Sequence, residues 1–150
     1  MKKQLFLKVI TLMVLSFVVV SVYADVLEPQ RTQGLIAPAP QGVHNLVLLK
    51  GSGKFVSAEI TKQGGTTDLT FVILDIDGRN VVNVSIAALK NSGLTQNNPY
   101  GLVLMQPAGN IKTFTIGFSA PFVFASDLKL SVDVKETGVA QILANVIHGK

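Results

Sequence analysis

Asp75, Asp77 and Asn80 stand around Gly78 in the stretch L-D-I-D-G-R-N, residues 74–80 of a chain otherwise rich in valine, leucine and isoleucine. Three oxygen-bearing side chains beside a glycine have the composition of a calcium loop. Spacing decides against that chemistry. An EF-hand needs oxygen ligands at positions 1, 3 and 5, glycine at 6 and a bidentate glutamate at 12. Counted from Asp75, the last three demanding positions fall on Arg79, Asn80 and Ile86. The same residues suit a β-hairpin, because Asp-Gly favours the two-residue type I′ turn, in which both central residues take positive φ. Such a turn pairs Ile76 with Arg79, Asp75 with Asn80, Ile73 with Val82, Phe71 with Val84 and Leu69 with Ile86. Six apolar side chains then share one face. Asp77 and Gly78 are therefore expected to form a structural turn, with no metal bound.

Other chemical candidates fail similar tests. Gly51-Ser52-Gly53-Lys54 has the end of a phosphate-binding loop, but Leu48 and Phe55 occupy the positions that need glycine and Ser/Thr. His44 and His148 lie far apart in a chain without cysteine, so a zinc site would have to recruit scattered carboxylates. No G-x-S-x-G elbow is present for serine hydrolysis. Asn83-Val84-Ser85 matches a glycosylation acceptor, an accidental match in a bacterial chain. Carboxylate pairs of the glycosidase type would have to come from Glu28, Glu59, Glu136 and six aspartates, mostly at turns or on polar faces. The expectation is no catalytic residue and no cofactor.

Two groups of residues suit binding. Tyr100 is the one tyrosine after residue 24, and it follows Asn97-Asn98-Pro99 in a turn-forming stretch where a ring platform for a sugar could form. Phe118, Phe122 and Phe124 gather around Pro121 in G-F-S-A-P-F-V-F. Proline belongs on edge strands or corners, so this stretch reads either as an apolar edge open to pairing or as a strand crossing between sheets with its phenylalanines in the core.

The elements that must position these residues begin after a targeting segment. Lys2 and Lys3 precede an apolar run from Val9 to Val22, too short for the roughly 20 residues of a membrane-spanning helix. Val22-Tyr23-Ala24 offers a cleavage site, which leaves 126 of the 150 residues starting at Asp25. Lys2, Lys3 and Lys8 leave with the signal, so the high pI is largely its property. Ten basic and nine acidic side chains remain, unclustered along the chain. This implies no nucleic-acid partner and no integral membrane segment. With no cysteine in an exported chain, the core must hold without disulfides.

Residues 25–43, with Pro29, Pro38 and Pro40, read as an extended leader. A domain over 44–150 follows, in short β-branched and aromatic runs punctuated by turn residues about every ten positions. Strands are expected near 45–50, 54–61, 68–76, 79–86, 101–106, 111–118, 121–125, 128–135 and 139–147, with one helical turn at Ala87–Lys90. The clearest alternation is L-K-L-S-V-D-V-K, which sends Leu128, Leu130, Val132 and Val134 to one face. The terminal segment 139–147 reads as strand, with helix as the alternative.

The fold class expected is an all-β antiparallel sandwich of about eight or nine strands, jelly-roll or immunoglobulin-like. Its expected role is non-enzymatic: protein binding or self-association at the bacterial envelope, in the periplasm or at the cell surface. A lectin-like module with Asn97, Asn98 and Tyr100 in its loop is the alternative, and a small hydrolase using carboxylates the third.

Overall fold

The computed structural model describes residues 28–150; the export signal expected at 1–24 lies outside them. The described residues form nine strands and one short helix: β1 (Pro29–Ile36), β2 (Gly42–Lys50), β3 (Gly53–Gly64), β4 (Thr70–Ile76), β5 (Arg79–Ser85), α1 (Ile86–Asn91), β6 (Leu102–Ala108), β7 (Ile111–Phe124), β8 (Asp127–Val134) and β9 (Val139–Gly149). They make two antiparallel sheets, ordered β1-β9-β3-β7-β6 and β2-β8-β4-β5. The sheets face each other across one apolar core, as in a β-sandwich. Leu128, Leu130, Val132 and Val134 are fully buried, as their alternation requires. From the opposite sheet they meet the inner row of Ile60, Phe114, Ile116, Ile142, Ala144 and Val146.

The Asp77–Gly78 turn forms as expected, with φ of 51° and 72°, and it pairs Ile76 with Arg79 and Asp75 with Asn80. Beyond that the expected register is corrected. Leu74 pairs with Val82, Ile73 with Asn83 and Val72 with Val84, because the ladder shifts by one residue between Leu74 and Asp75. The reason is parity. β4 must match β8, where Val72, Leu74 and Ile76 lie opposite Val132, Leu130 and Leu128, so its core face is the even-numbered one. Val82 and Val84 on β5 are also even-numbered, and a two-residue turn there pairs even with odd. Val81 is the extra residue of a bulge that reconciles the two strands. Phe71 and Ile73, expected in the core, are half-buried on the outer face, and Leu69 is exposed.

Within the proline-bearing segment read as an extended leader, Pro29–Ile36 is a strand built into the sheet. β1 pairs with β9 from Pro29 opposite Gly149 to Ile36 opposite Ile142. Pro29 opens an edge strand, where its missing N–H costs no ladder bond. Gly34 brings β1 against β2, so close that a Cβ would run into the Leu46 carbonyl. This contact seals one side of the sandwich at its sheet corners.

The opposite side is closed only in part. α1 exceeds the single turn expected: Ser85 caps it, its Oγ accepting from the Ala88 amide at 3.0 Å, and Ile86 and Leu89 are buried beneath. It packs against β4, β5 and β6. The strands expected at 111–118 and 121–125 are one strand, β7, interrupted by an excursion. Gly117 pairs with Ser57 and Phe122 with Phe55, so residues 118–121 stand against the single residue Val56. Pro121 sits in that excursion, where the ladder is already broken. The terminal segment is strand, β9, and it lies between β1 and β3.

Candidate functional site

Asp75, Asp77 and Asn80 do not converge on a point where an ion could sit. Asp77, at the hairpin tip, turns its carboxylate into the β7–β8 turn. It accepts from the amides of Ala125 (2.9 Å), Ser126 (2.7 Å) and Asp127 (3.1 Å) and from the Ser126 hydroxyl (2.9 Å). These three successive amides hold its pKa well below the usual carboxylate range. Asp75 is taken by Lys129 at 2.8 Å and by the Asn80 amide at 2.9 Å, which lower its pKa. Among the described residues no three metal-ligating side chains gather.

The loop before β6 divides its residues between two tasks. Asn98 holds the loop together: its amide nitrogen donates to the Gln96 and Leu102 carbonyls at 2.9 and 2.7 Å, and its oxygen accepts from the Tyr100 amide at 3.0 Å. Gly117 donates to the Gly101 carbonyl at 2.8 Å, which pins the loop onto β7. Asn97 is left exposed at the rim of a cleft of about 620 Å³, between this loop and the outer face of the five-stranded sheet. Asn98 and Phe118 also line it; Tyr100 is 69% exposed and does not. Arg31, Glu59 and Asn145 do line it. Arg31 and Asn145 were not singled out in the sequence, and Glu59 appeared there only among the scattered carboxylates, since the three lie on strands distant in the chain. The available signal was their alternation with core residues.

The phenylalanines separate. Phe124 is 2% exposed and belongs to the core, a correction to its reading as a binding residue; it follows from the inward turn of the strand end opposite Gly53. Phe118 bridges core and surface, 6.2 Å from the buried Phe55 and 4.5 Å from Phe122 in an edge-on contact. Phe122 and Val123 are 41% and 68% exposed. β6 pairs with β7 only as far as Ile116, so beyond the excursion, at Phe122–Phe124, the one strand neighbour of β7 is β3. This half of β7 is a sheet edge. Phe122 and Val123 line a groove of about 370 Å³ with Ile76 and Val81 of the other sheet. On its other side, Val123 shares a hollow with Lys50, Lys54 and Lys150. Lys50 in that hollow is ion-paired with Asp127 at 3.0 Å.

Inside the sandwich lies a group that the sequence reading passed over. Lys62 and Lys112 pair across β3 and β7 and both are buried. Lys62 donates to Glu136 at 2.6 Å and to Asp68 at 3.1 Å, and Lys112 also bonds Asp68. Glu136 accepts further from the Thr70 hydroxyl at 2.7 Å and from the Thr67 and Asp68 amides at 3.0 Å each. Burial pushes the Glu136 pKa up, and Lys62, Thr70 and Thr67 outweigh it, leaving the group below its ordinary value; Asp68 is likewise lowered against its burial by Lys112 and Lys62. Two cations and two anions with these partners form a neutral, satisfied structural cluster.

No helix among the described residues is long and apolar enough to cross a membrane. No protein-family model matches the chain, and no curated protein matches it. Among solved structures it is similar to a chain of the "Acidic stable capsid structure of Helicobacter pylori bacteriophage KHP30", with a TM-score of 0.48 and 13% identity over 81% of this chain and 87% of that one.

Proposed function

We propose that this chain is an exported, non-enzymatic β-sandwich module that works by protein binding or assembly at the bacterial cell envelope or outside the cell. The observation that carries this reading is the uncovered second half of β7. An antiparallel edge with unpaired backbone groups and exposed apolar side chains is a template for another strand. Here Phe122, Val123 and Val81 offer that strand an apolar floor between the two sheets. Partners are protein surfaces rather than nucleic acid, and the chain carries out no chemistry.

Sedimentation of the protein across the micromolar range tests this. Self-association is expected, and it is expected to be abolished in Val123→Glu with no loss of thermal stability, since Val123 is largely exposed. A wild-type protein that stays monomeric throughout that range would remove assembly. Association that survives Val123→Glu would remove this edge as its site.

A further inference from the structure

The cleft beneath the 97–101 loop has a built floor. Two cross-strand rows of the outer face form it: Arg31, Ile147 and Ser57 in one, and Asn145, Glu59 and Thr115 in the next. At about 620 Å³ it falls within the roughly 300–1,000 Å³ of small-molecule sites. Its overhanging wall is held by the Asn98 bonds and by Gly117 on Gly101, so little ordering is left to offset binding.

The groups that face this space are complementary to a particular chemistry. The side chains of Arg31 and Asn97 make no hydrogen bond or ion pair to a described residue. A guanidinium in that state is a fork suited to a carboxylate. Asn145 accepts from Gln33 at 3.3 Å through its oxygen, which leaves its amide N–H groups to donate into the cleft. Glu59, bonded only weakly by Thr61 at 3.4 Å, can accept from hydroxyls. Pro99 and Ile147 supply apolar surface for C–H faces. β9 separates the strands of Arg31 and Glu59, which also lie two residues apart along it, so their backbones stand about 12 Å apart across the sheet. A ligand that meets both must be longer than one sugar ring, anionic at the Arg31 end and rich in hydroxyls at the Glu59 end. We infer that this cleft binds a disaccharide-length stretch of an acidic glycan, its carboxylate on Arg31 and its neighbouring ring over Glu59, Asn145 and Asn97.

The test compares cellobiuronic acid with cellobiose, which lacks its carboxylate, by titrating the isotope-labelled protein and following backbone amide shifts. The acid is expected to move amides at 57–59, 97–101, 115–117 and 145–147 saturably, and to bind roughly tenfold tighter than cellobiose or better. Arg31→Ala, whose side chain is solvent-exposed, is expected to keep its melting temperature and to bind the acid no better than cellobiose. Asn97→Ala is expected to weaken both sugars alike. Absence of saturable shifts with the acid would overturn the inference, as would equal affinity for the two sugars or undiminished preference for the acid in Arg31→Ala.

Discussion

Lys62 and Glu136, 74 positions apart in the chain, meet at 2.6 Å with both side chains wholly shielded from solvent. The pair ties the end of β3 to the segment after β8, and so one sheet to the other. Neither charge can leave alone. Glu136→Gln keeps an acceptor for the Thr67 and Asp68 amides but leaves the Lys62 ammonium short of a counter-charge. Chemical denaturation is expected to show a loss of about 3–5 kcal/mol, a large share of the ~5–15 kcal/mol that stabilises a domain. Lys62→Met/Glu136→Gln, which removes both charges, is expected to lose less than the two single changes together, with a coupling of about 0.5–3 kcal/mol. Additive losses would show that the two side chains do not act as a pair.

Acid should destabilise the protein in two separate stages. His148 is 7% exposed, with Nε2 2.9 Å from the Thr32 hydroxyl, and burial followed by the Lys150 charge lowers its pKa from 6.5. The unfolded chain therefore binds this proton more readily, so the stabilisation is whole above pH 6.5 and declines as pH falls below it. Glu136, Asp68 and Asp77 are also lowered, from 4.5, 3.8 and 3.8, so their contributions decline only below those values. Melting temperature measured against pH is expected to show both declines. His148→Gln should abolish the first and keep the second; a profile flat between about pH 7 and pH 5.5 would contradict a neutral buried imidazole.

The hairpin tip is held by two independent features. Gly78 at φ 72° lies where a β-branched residue is strained, and Gly78→Val should cost about 1–2 kcal/mol in denaturant unfolding. Asp77→Asn should lower the melting temperature as well, because an amide oxygen replaces the charge that three backbone amides face. Added calcium should leave the wild-type melting point where it was, and a substantial rise would restore the ion-site reading.

Much of the strand pattern could be read directly from side-chain alternation. Leu128, Leu130, Val132 and Val134 point inward because successive side chains in a strand must face opposite ways and only one face was apolar. The turn at Asp77-Gly78 was equally legible, since few residue pairs accept two positive φ values in succession. β4 was not: both of its faces are apolar, so alternation offered no preference, and its pairing with β8 chose Val72, Leu74 and Ile76 over Phe71 and Ile73. The candidate sites lay further from view. Arg31, Glu59 and Asn145 become neighbours through the order β1-β9-β3, and Lys62 and Glu136 find each other through the stacking of one sheet on the other. Local chemistry determined which segments are strands and where the 77–78 turn falls, because those choices rest on contacts between near residues. Sheet order and register decided which charges are buried, which edge stays open and which polar groups share a cleft, because those depend on residues brought together only by the fold.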